Sequence, residues 1–159
     1  MFCSLNPLAG AGNLLSQILD LSLFPSLPSL QNALSQLSAA FPGYPVTGVP
    51  VTHNLHLKSF LSMAGPDLVA ITTSHDGRVA KETIQSKGHF KYRYYDIPDD
   101  PGANCLFLNN TIIHASPDWL PESCARFEAL ETPARKIVLS NSELNKVDGC
   151  FSCNSVLIK

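Results

Sequence analysis

HLKSFLSMAGPDLVAITTSHDGRVAKETIQSKGHFKYRYYDI, residues 56–97, is the stretch whose reading decides the fold. His56–Ala64 reads as a strand carrying Leu57, Phe60, Leu61 and Met63. Gly65-Pro66-Asp67 is turn chemistry, and Leu68–Thr73 is an apolar strand. His75–Gly88 reads as a helix with Ala80 and Ile84 on one face. Phe90–Ile97 closes the unit as a strand bearing Tyr92, Tyr94 and Tyr95. The order is therefore strand, turn, strand, helix, strand.

The same order returns about 49 residues later. Cys105–Asn109 is a strand, Asn109-Asn110 a turn, Thr111–His114 a strand, Pro121–Leu130 a helix and Lys136–Ser140 a strand. A third unit starts at Cys153–Lys159 and runs for one strand. Such units cannot bury their faces alone, so they stack or close into a ring around a channel. Two complete units and flanking pieces predict part of a ring.

Upstream the composition changes. Residues 1–57 hold a single charged side chain, Asp20, whereas all 11 Lys and Arg residues lie from Lys58 onward. Leu14, Leu15, Ile18, Leu19 and Leu21 share a helical face, and Leu30, Leu34 and Leu37 predict a second helix from about Pro28 to Ala40. Pro42, Gly43 and Pro45 end it, and Val46, Val49 and Val51 suggest a short strand over Pro45–Thr52. We divide the chain into an apolar, charge-poor helical segment, residues 1–44, and repeat units over residues 45–159.

The composition narrows the function classes. Apolar residues make up 45% and charged residues 15%, enough for a packed core. The net charge of −2 offers no basic excess for nucleic acid or an anionic membrane. No apolar run reaches the length of about 18 residues that a membrane helix needs. The N-terminus lacks the basic start of a secretory leader, and five cysteines would leave one thiol over. A cytoplasmic protein with reduced thiols is the expectation.

Cys150-Phe-Ser-Cys153 is a lone CxxC motif. A structural zinc site would want a second pair. A redox dithiol would want a strand-to-helix junction, and here the motif runs into Ser155-Val-Leu-Ile. A cysteine and a histidine can also act together, the imidazole moving the proton of the thiol. His56 and Cys153 open strands at equivalent places in neighbouring units, so a ring would bring both to the same end. Asp99-Asp100-Pro101-Gly102 reads as a turn, and Lys91 and Arg93 as the solvent face of a strand.

HLKSFLSMAGPDLVAI (56–71), PDDPGANCLFL (98–108), SELNKVDG (142–149) and CNSVLI (153–158) are four further segments to be read together. In order and at about the same spacing they resemble the dimethylarginine dimethylaminohydrolase family. The likeness covers roughly residues 33–159. It implies an α/β fold: an incomplete pentein propeller of ββαβ units, about half of a five-unit ring. It implies hydrolysis of asymmetric dimethylarginine or monomethylarginine to citrulline and a methylamine, a reaction of arginine metabolism and nitric oxide regulation. By the family's motifs Cys153 is the nucleophile, His56 the proton donor, and the Val147 carbonyl a substrate contact. No cofactor is required, and zinc held by Cys153 would be inhibitory. The expected partner is the small methylated arginine, with self-association through exposed sheet edges of an open ring. The chain departs from the family in length. The acidic and arginine residues that grip the substrate lie in the family's first half, and residues 1–32 show no such set. A non-catalytic interaction module is the alternative reading.

Overall fold

The computed structural model describes residues 27–40, 42, 46–54 and 56–155. The Leu14–Leu21 helical face, Cys3 and the final stretch 156–159 lie outside the described residues. Helix α1 spans Leu27–Ala40, followed by a segment over 46–51 without regular secondary structure. A first sheet joins β1 (Leu61–Gly65), β2 (Leu68–Thr72) and β3 (Arg93–Ile97), with α2 (His75–Lys87) between β2 and β3. A second sheet joins β4 (Leu106–Leu108), β5 (Thr111–Ala115) and β6 (Arg135–Leu139), with α3 (Pro121–Glu128) between β5 and β6. The short α4 (Ser142–Asn145) follows. Among the described residues, no helix is long and apolar enough to cross a membrane.

The repeat is repeated in its hydrogen bonds. In each sheet the first two strands pair antiparallel and the last two parallel. Asp67 O accepts from Arg93 N at 2.8 Å, and Asn110 O accepts from Arg135 N at 2.9 Å. Thr73 N donates to Ile97 O at 3.2 Å, and Ser116 N to Leu139 O at 3.1 Å. The hairpin turns place Asp67, Asn109 and Asn110 at positive φ, which Asp and Asn tolerate well.

The helices start where local chemistry starts them. Ser74 Oγ accepts the Gly77 N–H at 3.2 Å to cap α2, Asp76 sits in its first turn, and Lys87 in its last. Pro121 occupies the first turn of α3, where its missing N–H costs nothing.

Both faces of the first sheet are apolar, and both are covered. Val69, Ile71 and Tyr94 face α2 and pack with Ala80, Ile84, Leu57, Phe60 and Val49. Leu68, Ala70, Tyr95 and Ile97 face the other way, onto Phe127, Leu130 and Ala134 of the second unit. Helix α3 therefore serves two sheets. Phe127 stacks on His114 of β5 at 4.8 Å, while the Arg126 guanidinium lies over the Tyr95 ring at 4.7 Å. Tyr95 Oη donates to Arg126 O at 2.6 Å, and Arg126 Nε to Asp96 O at 3.2 Å.

Three expectations change. His56–Ala64 is not one strand: Leu57–Ser59 forms a 3-10 turn and the strand begins at Leu61. Leu57 and Phe60 are three apart and enter the same core, a spacing that suits three residues per turn. Ser152–Asn154 is also a 3-10 turn, so Cys153 does not open a strand. The 46–50 segment carries no assigned strand. Val49 is nonetheless fully buried beneath α2, where burial rather than pairing holds it.

Because Phe127 is fully buried and bridges both sheets, Phe127→Ala should lower unfolding free energy by about 3–5 kcal/mol. Val138→Ala, at a position 45% exposed, should change it by about 0.5 kcal/mol or less. Urea unfolding midpoints of the two variants check this, and equal effects would contradict the shared-helix packing.

Candidate active site

The site residues singled out from sequence fall beside two short 3-10 turns and after the short helix α4. His56 precedes the first 3-10 turn in extended conformation and is half-buried. Cys153 sits on the last turn and is exposed. Val147 follows α4 and is 76% exposed.

What ties these segments together is Asn104, which is 1% exposed. Its Nδ2 donates to Lys58 O at 2.6 Å and to Ser152 Oγ at 2.7 Å. Its Oδ1 accepts from Ser152 N at 3.1 Å. One amide thus holds the backbone two residues after His56 and the residue just before Cys153. Buried amides must have all their polar atoms occupied, and here the occupants are the two segments in question. Sequence reasoning gave Asn104 no role. The signal available was its place in Gly102-Ala-Asn-Cys105, a motif already quoted for the resemblance.

The loop that carries Asn104 is fixed by tight contacts. Gly102 N donates to Asp99 O at 2.7 Å, Asn104 N to Pro101 O at 2.9 Å, and Ser123 Oγ to Asp99 Oδ2 at 2.7 Å. A Cβ at Gly102 would lie 2.1 Å from Ser123 Oγ. The Cys153 turn is held as firmly. Phe151 is buried and meets Trp119 edge-on at 5.8 Å. Asn154 Nδ2 donates to Cys150 O at 2.8 Å, and Asn141 Nδ2 to Gly149 O at 2.6 Å.

The described cysteines differ in character. Burial pushes the Cys105 thiol up to about 12, with Ser62 Oγ 3.2 Å away. Burial pushes Cys150 up to about 11, helped by charge at Cys153 and Asp148. Burial also raises Cys124. Cys153 is the exposed one among them. The two sulfurs of the CxxC are therefore one buried and one exposed thiol rather than a matched dithiol.

A second cluster was not foreseen. Among the described residues, His53, His75 and Asp76 form the group whose ligand atoms lie close enough to share a metal ion. Asp76 is 1% exposed. It accepts from His53 N at 2.8 Å, Asn54 N at 3.0 Å, Thr52 Oγ1 and the His53 ring, whose Nδ1 lies at 3.2 Å. Its oxygens are occupied by the chain itself, so an ion would have to displace these donors. Asp76 clamps residues 52–54, the approach to His56. Burial alone would raise its carboxyl, but the hydrogen bonds from Thr52, His53 and Asn54 outweigh burial and hold it well below the usual carboxylate range.

No protein-family model matches the chain. The first solved structures it matches share a propeller fold. A dimethylarginine dimethylaminohydrolase of Pseudomonas aeruginosa, a cysteine-to-serine variant complexed with citrulline, aligns at TM-score 0.59 and 22% identity, over 77% of this chain and 44% of that one. A dimethylarginine dimethylaminohydrolase adduct with S-methyl-L-thiocitrulline aligns at TM-score 0.61 and 22% identity, over 80% and 46%. An agmatine deiminase of C. jejuni with substrate bound aligns at TM-score 0.56 and 14% identity, over 77% and 44%. The fold is therefore mixed α/β, of ββαβ units matching about 45% of pentein propeller structures. Among curated proteins, "Putative hydrolase DDAH2" of Bos taurus is 29% identical over 119 residues, and that of Homo sapiens 28%. The match covers 70% of this chain and 41% of either relative, so the chain spans about two fifths of their length. The chain is thus similar over part of its length to dimethylarginine dimethylaminohydrolase relatives, and the likeness to the solved structures lies in the fold.

The Asp76 clamp has a pH signature. Its folded-state pKa is depressed, so the stability it contributes is present above its unfolded value of about 3.9 and is lost as pH falls toward the folded value. Asp76→Asn should flatten stability between about pH 5 and pH 3 relative to wild type. Urea unfolding at each pH measures this, and parallel curves for the two proteins would contradict it.

Proposed function

We propose that this chain carries the nucleophile and proton-donor half of a guanidine-hydrolysing centre acting on N-methylated arginines. The observation that supports it most is the Asn104 clamp between the Lys58 and Ser152 backbones. It makes the His56 and Cys153 segments one structural unit although they are far apart in sequence. The exposed state of Cys153 beside buried Cys150 points the same way. So does the chemistry of the solved relatives, one complexed with citrulline and one an adduct with a thiocitrulline.

On this reading the Cys153 thiolate adds to the guanidinium carbon of asymmetric dimethylarginine or monomethylarginine. Covalent catalysis divides one hard displacement into two easier ones. The carbon–nitrogen bond to the methylated nitrogen breaks, and the His56 imidazolium gives that nitrogen its proton, so a neutral methylamine leaves. Water then adds to the thiouronium carbon while His56 takes up its proton. The carbon–sulfur bond breaks, releasing citrulline and the thiol. The Val147 carbonyl, between α4 and the turn that carries Cys153, is the substrate contact. Zinc on the Cys153 thiolate would block the first step, so a chelator should leave turnover unchanged or raise it.

Nothing assigns a carboxylate to the guanidinium, and residues 1–57 contain Asp20 as their one acidic side chain. Turnover by this chain is accordingly expected to be slow. A second reading, an interaction module that keeps the thiol, is favoured by the exposed apolar side chains of β6.

Citrulline release from asymmetric dimethylarginine is the test. Cys153→Ser should abolish it, and Cys150→Ser should leave most of it. His56→Ala should slow it by about 10²–10⁴-fold while a Cys153 adduct accumulates in the intact-protein mass. The absence of both citrulline and adduct, or equal loss in the two cysteine variants, would sink the hydrolase reading.

A further inference from the structure

The hydrolase reading uses Cys153 and leaves Cys150, the other half of Cys150-Phe-Ser-Cys153, without a task. The structure winds this motif into a single turn. Cys153 N donates to Cys150 O at 3.2 Å and Asn154 N to Phe151 O at 3.2 Å, the bonding pattern of a 3-10 turn. Phe151 is already helical, with φ −54° and ψ −47°. Such a turn takes three residues and rises about 2 Å per residue, so positions 150 and 153 lie about 6 Å apart with their side chains on the same side. A disulfide wants Cα atoms about 4.4–6.8 Å apart. The backbone therefore holds the two cysteines at a spacing that suits a disulfide.

The turn is fixed from outside at both intervening residues. Phe151 is buried and meets Trp119 edge-on. Ser152 is held by Asn104 through its N–H and its hydroxyl oxygen. Ser155 Oγ adds a bond to Phe151 O at 2.6 Å. A turn locked at its inner residues loses little further freedom when its ends are joined. The two thiols also differ in what reaches them. Cys153 is exposed, whereas Cys150 is 4% exposed and turns its sulfur toward Asn145 Oδ1 at 3.8 Å. A small oxidant meets Cys153 first, and Cys150 stands one turn away to resolve the product. An accessible thiol beside a resolving cysteine is the arrangement of redox-sensing sites. Cys105 and Cys124 are both buried, and neither has a cysteine three residues away.

We propose that Cys150 and Cys153 form a reversible oxidation site for hydroperoxides. The Cys153 thiolate attacks one oxygen of the peroxide. The sulfur–oxygen bond forms, the oxygen–oxygen bond breaks, and the departing oxygen takes up a proton. Cys153 is then a sulfenic acid, and the peroxide has accepted two electrons. The Cys150 sulfur next attacks the Cys153 sulfur. The sulfur–sulfur bond forms, the sulfur–oxygen bond breaks, and hydroxide leaves with the Cys150 proton as water. With hydrogen peroxide, two thiols and one peroxide give one disulfide and two waters. A dithiol reductant reverses the state by thiol–disulfide exchange. While the disulfide stands, Cys153 has no thiolate to add to a carbon. On the hydrolase reading the site is then switched off, but the oxidation site itself does not depend on that reading.

Lys146 and Lys159 bracket both cysteines, so trypsin releases residues 147–159 as one peptide with no other cysteine. The full chain is treated with hydrogen peroxide, alkylated with iodoacetamide in denaturant, and digested. The expected product is a 147–159 peptide lighter by two hydrogens and carrying no alkyl group. Dithiothreitol before alkylation should restore two alkyl groups, and Cys105 and Cys124 should be alkylated in both samples. Cys150→Ser should let Cys153 run on to sulfinic acid, which dithiothreitol does not restore. Cys153→Ser should leave Cys150 reduced. Thermal melting checks that both variants fold, and the wild-type result stands without them. The mass readout needs no turnover, so its failure and the failure of the hydrolase reading are distinct. A wild type whose Cys153 becomes sulfinic acid while Cys150 is still alkylated would overturn the proposal. So would a disulfide to a cysteine outside the peptide, or a peptide that keeps both thiols alkylatable.

Discussion

A sheet that is apolar on both faces has to be covered on both. In the first unit α2 covers one face and α3 of the second unit covers the other, and the rest of the structure follows from that sharing. Helix α3 serves its own sheet through Phe127 and reaches the first through Arg126, and Leu130 and Ala134 of the segment that follows it join the same core. The units are therefore joined by core rather than by linker. The hydrophobic term that orders one unit is partly supplied by its neighbour, as expected of stacked repeats. Ser62 of β1 extends the same joint, accepting the Cys105 N–H at 2.9 Å.

The candidate site is built where that joint comes to an end. Asn104 belongs to the loop leading into β4, which packs beside β1. Its amide is placed by the unit-to-unit packing and in turn places Lys58 and Ser152. This ordering explains why the polar cluster is affordable in a buried setting: each of its hydrogen bonds is made against backbone that the apolar core has already fixed. Asp76 does the equivalent work for residues 52–54, using the start of α2 as its platform.

The ββαβ order was legible because each element carries its own local signature. Val69 and Ile71 alternate with Leu68 and Ala70, Ser74 caps α2, and Asn109-Asn110 turns the second hairpin. These signals act within a few residues. The 3-10 turns at Leu57–Ser59 and Ser152–Asn154 were read as strand starts, since their sequences lack a helical run and their shape depends on distant anchors. Asn104 reaches residues 46 and 48 positions away, and no local pattern announces such a bond. The same holds for the His53–His75–Asp76 group, where a helix N-terminus meets a loop 22–24 residues earlier. His56 and Cys153 were singled out by position in the repeat and by family motif. The structure adds the amide that connects their segments.

The account depends most on Cys153 being an activated thiol rather than an exposed bystander. The direct measurement is the rate of labelling by a haloacetamidine probe, mapped to each cysteine by peptide mass. A thiolate held to meet a guanidinium should label at Cys153 well ahead of a free thiol, with Cys150 and Cys105 far behind, and Asn104→Ala should remove the advantage. Faster labelling of Cys150, or labelling of Cys153 at the rate of a free thiol, would contradict it.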